Sequence, residues 1–90
     1  RVVNLTSTSG GSISTIAAGV DGQELMLIMT STTSINIWSA TSTTGTNKIL
    51  VENGGIAMSR YDVLSLIYNS ALQAWIQVSF SDNNFSAVID

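Results

Sequence analysis

The side chains that could do chemistry in this chain are few. It contains no histidine and no cysteine, which commonly serve as general bases, thiol nucleophiles and zinc ligands in proteins. A serine or threonine nucleophile would need Lys48 or a carboxylate as its base, and no spacing motif pairs such a base with a hydroxyl. We therefore predict no catalytic residue, no cofactor and no enzymatic activity.

Six carboxylates remain as candidates for acid–base or metal chemistry. A glycosidase-like pair is conceivable, but nearly all of them lie at the ends of apolar runs or in turns, where solvated carboxylates are normal. The weak metal candidate is Asp82, because Asp82-Asn83-Asn84 offers three oxygen-bearing side chains that would suit Ca²⁺. Such a sequence is usually only a turn, so no metal site is predicted. The carboxylates are Asp21, Glu24, Glu52, Asp62, Asp82 and Asp90.

Aromatic side chains are the candidates for ligand binding. Trp38, Trp75 and Tyr61 could stack on sugar rings, a common use of exposed aromatic residues in a neutral, hydroxyl-rich surface. Trp75 falls on the polar side of its run beside Gln77, and Trp38 shares its side with Asn36. The alternative is that one or both tryptophans fill a subunit interface, where aromatic residues are enriched. For Trp75 the interface is favoured.

The composition argues against strongly charged partners. Only 10% of the residues are charged and the net charge is −3, with three Lys and Arg residues in total. We therefore expect no nucleic acid or anionic membrane as a partner, and the longest apolar run, residues 25–29, is too short to span a bilayer. Serine and threonine supply 24 of the 90 residues, which favours a neutral, hydrogen-bonding surface. Because the sequence begins with Arg, we expect it to be a fragment of a larger protein.

The strongest structural pattern is a β-hairpin over residues 61–81. Two apolar runs, residues 63–68 and 74–80, flank a polar connector of about five residues. Strict alternation in the second run predicts that Val78 and Phe80 share one face and that Trp75 lies on the other.

The first run of this hairpin and residues 25–29 are apolar on both faces. A two-layer domain of 90 residues has a marginal core and one inner face per strand, so apolar surface should be left over. Without disulfides, oligomerisation is the common remedy, and we expect a subunit partner to cover that surface.

Other segments complete a β-rich domain. We predict a weak strand over residues 12–17, strands over 35–39, 48–52 and 56–59, and a turn at Asn53-Gly54-Gly55. Residues 1–12 are expected to be a linker or a short strand joining an upstream domain, and residues 13–90 a single β-domain. The apolar tail residues Phe85, Val88 and Ile89 are expected to dock on the body or on a neighbour. Seven to eight short strands without a helix are typical of a small β-sandwich, jelly roll or β-prism.

Several motifs occur in a fixed order between residues 19 and 83. The series begins with Gly19-Val20-Asp21-Gly22-Gln23 before an apolar strand, and the turn Asn53-Gly54-Gly55 follows later. It ends with Asp62-Val63-Leu64-Ser65-Leu66-Ile67-Tyr68 and Trp75-Ile76-Gln77-Val78-Ser79. This ordered set resembles a recurring segment of bacteriophage tail fibres and tailspikes.

The resemblance implies a homotrimeric β-module of the virion tail that registers three chains and contacts a host surface polysaccharide or receptor. It transfers no catalytic site. Two alternatives remain, a carbohydrate-binding module and a purely structural capsid or decoration protein. In a trimer, the leftover apolar residues are expected near the axis. The interface residues predicted in this way are Leu25, Leu27, Met29, Leu64, Leu66, Ile67 and Trp75.

Overall fold

The computed structural model describes residues 1–42 and 44–83, which fold into eight strands. The predicted all-β class is confirmed, and no α-helix occurs in these two ranges. The tail residues Phe85, Val88 and Ile89 lie outside the described residues. A short 3₁₀ turn, Glu52–Gly54, follows β5. The strands are β1 (Val2–Leu5), β2 (Gly11–Ile13), β3 (Glu24–Met29), β4 (Ile35–Trp38), β5 (Lys48–Leu50), β6 (Gly55–Met58), β7 (Val63–Asn69) and β8 (Ala74–Ser81).

The strands form two mixed sheets that share one core. The larger sheet has the order β1-β3-β7-β8-β5 and the smaller one the order β2-β4-β6. Leu27 and Leu64 from the larger sheet join Ile37 and Met58 from the smaller sheet in one buried cluster. This arrangement is compatible with a small β-sandwich. Three strand pairs are parallel, which is not the antiparallel pattern of a jelly roll.

The first four strands trace the same path twice. The chain passes from β1 in the larger sheet to β2 in the smaller sheet, and then from β3 to β4 in the same way. Val2 pairs with Met26 and Gly11 pairs with Ile35, so each partner lies 24 residues further along the chain. We refer to residues 2–13 and 26–37 as the first and second coils. Residues 1–12, for which a linker or a short strand is predicted, thus contain the edge strand β1.

A polar corner holds the two coils in register. The backbone N–H of Thr30 donates to the carbonyl oxygen of Leu5 at 3.0 Å, and the Thr30 hydroxyl donates to the same oxygen at 2.9 Å. The N–H of Ser7 donates to the Ser31 hydroxyl at 3.1 Å. Both coils carry Thr-Ser-Thr at this corner, at residues 6–8 and 30–32, so the repeat is visible in the sequence as well as in the structure.

Strand β8 departs from simple alternation at a β-bulge. Val78 has no counterpart on β7, and the extra residue reverses the inward and outward positions beyond it. Consequently Trp75 and Phe80 both lie on the inner face, opposite Tyr68 and Leu64. The prediction that Val78 and Phe80 share a face, with Trp75 on the other, was wrong for this reason.

Asp62 is a buried carboxylate, 1% exposed, where the sequence predicted a solvated one. Its Oδ2 accepts the backbone N–H of Ser59 at 2.8 Å, and its Oδ1 accepts the backbone N–H of Asn83 at 3.0 Å. These two donors replace water, which makes burial of the charge tolerable. The carboxylate thereby ties the turn before β7 to the segment after β8.

The substitution Asp62→Ala should leave both backbone N–H groups without their acceptor. We expect it to lower the free energy of unfolding by about 2–3 kcal/mol, measured by urea denaturation. Asp21→Ala is the matched control, because Asp21 accepts one N–H, from Ser70, at an exposed site. The control should lose less than about 1 kcal/mol. Equal losses in the two variants would contradict the structural role of Asp62.

Candidate functional site

Trp75 is a core residue and is not available to a ligand. Its ring is 2% exposed and packs edge-on against Tyr68, with ring centroids 5.2 Å apart. The indole Nε1–H donates to the carbonyl oxygen of Ala17 at 3.0 Å, which satisfies its only polar group. The predictions that Trp75 stacks on a sugar or fills a subunit interface are therefore corrected. The β-bulge explains the error, since it turns the ring inward.

Gly19 is needed because Trp75 comes very close to it. A Cβ at Gly19 would lie 2.7 Å from Cζ2 of Trp75 and 2.6 Å from Oε1 of Gln23. That Gln23 oxygen already accepts the N–H of Val20 at 2.9 Å. The glycine turn, the glutamine and the tryptophan of the ordered motifs therefore meet at one place. Their role there is to join the N-terminal coils to the C-terminal hairpin.

The substitution Gly19→Ala should force the indole or the glutamine side chain to move. We expect the free energy of unfolding to fall by about 1–3 kcal/mol, as for other overpacked sites, with a matching drop in the melting temperature measured by circular dichroism. Gly11→Ala is the control, since a Cβ there meets nothing within 4 Å. If both alanine variants behave alike, the close packing at Gly19 carries no stability.

Most of the predicted trimer-interface residues are already covered within one protomer. Six of the seven are at most 7% exposed, because they form the inner face of the larger sheet. A side chain buried in its own subunit has little surface left to bury against another. The exception is Ile67, which is half-buried and lies on the opposite face. The six covered residues are Leu25, Leu27, Met29, Leu64, Leu66 and Trp75.

The leftover apolar surface is the outer face of the larger sheet. All strands of the smaller sheet pack on the inner face of the larger sheet, so no strand in the described residues covers its outer face. Val2 and Val78 are 60% and 61% exposed there, and Met26 is 39% exposed. Beside the bulge, a cleft of about 230 Å³ opens between Met26, Val78 and Ser79. The apolar residues of the outer face are Val2, Met26, Ile28, Leu50, Val63, Ile67, Ile76 and Val78.

Trp38 and Tyr61 are both accessible, at 48% and 42% exposed. Trp38 ends β4 opposite Gly55, and a Cβ on Gly55 would lie 2.9 Å from the indole Cε3, so the ring rests on the glycine. Tyr61 lies beyond the other end of β6, beneath the Arg60 guanidinium at 5.0 Å from the ring centroid. The two rings therefore belong to opposite ends of the smaller sheet. They do not form one platform.

The predicted metal triplet is only partly described. Asp82 is exposed, and the Asn83 side chain is engaged locally, since its Nδ2 donates to the Tyr61 carbonyl oxygen at 2.9 Å and its Oδ1 accepts the Ser81 hydroxyl at 2.8 Å. Asn84 lies outside the described residues. Within residues 1–42 and 44–83, no three His, Cys, Asp or Glu side chains come together as a metal site would require.

Other acidic side chains hold turns in place. The Oε1 of Glu52 accepts the Gln77 amide at 2.6 Å, while the backbone N–H of Glu52 donates to Oε1 of Gln77 at 2.8 Å. The described residues contain no helix with the length and apolar character needed to cross a membrane. Comparisons of the chain with protein-family models, curated proteins and solved structures find no match.

Proposed function

We propose that this chain is a module of a bacteriophage tail fibre or tailspike, which assembles as a homotrimer and takes part in attachment to the bacterial surface. The observation that supports assembly is the outer face of the larger sheet, which no strand within residues 1–42 and 44–83 covers and in which Ile67 is paired to Glu24 and Ile76. The location in the virion tail rests on the resemblance of the ordered motifs in residues 19–83.

Assembly would correct an energetic weakness of the isolated protomer. Removing an exposed valine or methionine side chain from water contributes about 1–2 kcal/mol, which is a substantial part of the stability of a domain of this size. Three sheets arranged around an axis would each place the outer face against two neighbours. Ser65 and Ser79 lie within this face, and their hydroxyls can pair across a subunit contact.

Attachment would use the polar surface. The connections of residues 30–34 and 39–47 are rich in serine and threonine, and most of their described residues are exposed. Hydroxyl and amide groups are suited to hydrogen bonding with neutral sugars, and the low charge of the chain creates no strong field that would select a charged ligand. A host surface polysaccharide or receptor is therefore the proposed partner.

The outer face can be tested by placing a charge on it. Met26→Lys should dissociate the trimer to monomers in light scattering at micromolar concentration, because the subunit contact would have to remove the new ammonium group from water. Val20→Lys is the matched control, since Val20 is 74% exposed in the turn before β3, and it should stay trimeric. A monomeric unmodified chain would refute trimer assembly, and a trimeric Met26→Lys variant would place the interface elsewhere.

A carbohydrate-binding module is the second candidate, and the exposed ring of Trp38 on Gly55 favours it. Stacking of an aromatic ring on a ligand contributes about 0.5–1.5 kcal/mol beyond its buried area. Trp38→Ala should therefore weaken glycan binding by about tenfold, as read from a glycan array, with the oligomeric state unchanged. Tyr61→Ala is the comparison at the other end of the sheet. Equal binding by the wild type and Trp38→Ala would remove Trp38 from the site.

A further inference from the structure

We propose that the open end of the stacked coils binds an extended polypeptide strand, which adds to the larger sheet in parallel with β1. The ligand class is a segment with the pattern of the coils themselves, in which aliphatic and polar residues alternate before a Thr-Ser corner. This surface is the edge of the sheet and is separate from its outer face. The proposal therefore stands whether or not the chain forms a trimer.

The first observation is the unpaired edge of β1. The carbonyl oxygens of Arg1 and Leu5 accept the N–H groups of Met26 and Thr30, at 2.8 and 3.0 Å. Because backbone groups alternate along a strand, the N–H and C=O groups of Val2 and Asn4 point away from β3. Among residues 1–42 and 44–83, β1 is the last strand of its sheet on this side. Strands at such edges are ready to pair with another chain.

The second observation is an apolar groove beside this edge. It has a volume of about 560 Å³ and lies between β1 and residues 13–19, with Trp75 and two leucines of β3 among its lining. The side chains of the first coil that border it are only partly buried, so the core is open at this end. A strand added next to β1 would place alternate side chains over this groove. The bordering residues of the first coil are Val3, Leu5 and Ile13, with Ile16 following.

The third observation is that the molecule already contains this interaction once. β3 binds β1 in parallel, with the N–H and hydroxyl of Thr30 both directed to the Leu5 carbonyl oxygen. Thr6 occupies the same position in the first coil, 24 residues earlier by the strand register, and it is exposed. An added parallel strand could therefore accept hydrogen bonds from the N–H and the hydroxyl of Thr6, just as Leu5 accepts them from Thr30.

The residues of β1 themselves do not block such pairing. Natural edge strands are commonly guarded by proline, by bulges, by charges or by being very short. β1, Val2–Leu5, contains no proline, bulge or charged side chain, and its four residues with the preceding Arg1 limit an added strand to a short pairing. An extended strand parallel to β1 would use the groove, the unpaired backbone groups of β1 and the Thr6 donors together. A compact small molecule would use only the groove.

The test uses a fluorescent synthetic peptide with the sequence of residues 1–13, titrated against the whole chain by anisotropy. Saturable binding is expected. Two modified peptides leave the protein untouched: N-methylation at the peptide's Val3 removes an N–H that would face β1, and N-methylation at its Asn4 removes one that faces away. The first should weaken binding about tenfold or more and the second by less than about twofold. Equal effects, or no binding by the unmodified peptide, would overturn the proposal.

A variant of the chain gives an independent measurement. Asn4→Pro removes one N–H at the open edge while the hydrogen bonds to β3 remain, and proline is tolerated on edge strands in this position. It should weaken binding of the unmodified peptide about tenfold, whereas Asn4→Thr, which keeps the N–H, should bind as the wild type does. Circular dichroism checks that both variants fold. Binding that survives Asn4→Pro in a folded chain, or a spin-labelled peptide that lies antiparallel to β1, would contradict the proposal.

Discussion

The smaller sheet can cover only one face of the larger sheet, and much of the organisation of this molecule follows from that constraint. β3 and β7 carry aliphatic side chains on both sides, so covering Leu27 and Leu64 leaves Ile28 and Val63 on the far side. A larger domain would add a third layer there. This chain has no further strand among its described residues to do so, which makes association with other subunits a physically reasonable use of the outer face.

A second constraint joins the two halves of the chain. The N-terminal coils and the C-terminal hairpin are different kinds of structure, one stacked in parallel and the other antiparallel. Trp75 connects them by donating to Ala17 and packing against Gly19. The ordered motifs of residues 19–83 therefore have a structural explanation in this chain, because several of them supply the parts of this junction.

Alternation and turn chemistry predicted the existence and approximate bounds of most strands, because apolar periodicity is local. They did not predict which of two apolar faces would be inside, since that depends on where the second sheet lies. A strict alternation of inward and outward residues cannot predict the bulge at Val78. Because of the bulge, Trp75 lies on the inner face and not on the outer face. Burial of Asp62 could not be foreseen either, because its donors Ser59 and Asn83 are brought together only by the fold. The 24-residue repeat was not predicted either, although the two Thr-Ser-Thr segments, residues 6–8 and 30–32, are a sequence signal that could have indicated it.

The corner between the coils also affects how such a chain can change in length. The two coils are hydrogen-bonded at this corner, where the N–H and the hydroxyl of Thr30 donate to the Leu5 carbonyl oxygen. Duplication of the first coil would raise the height of the stack by about 4.8 Å and leave the pairing of β3 with β7 in place. Loss of one residue within a strand would instead turn its aliphatic side chains to the wrong side. The architecture can therefore be lengthened in steps of one whole coil.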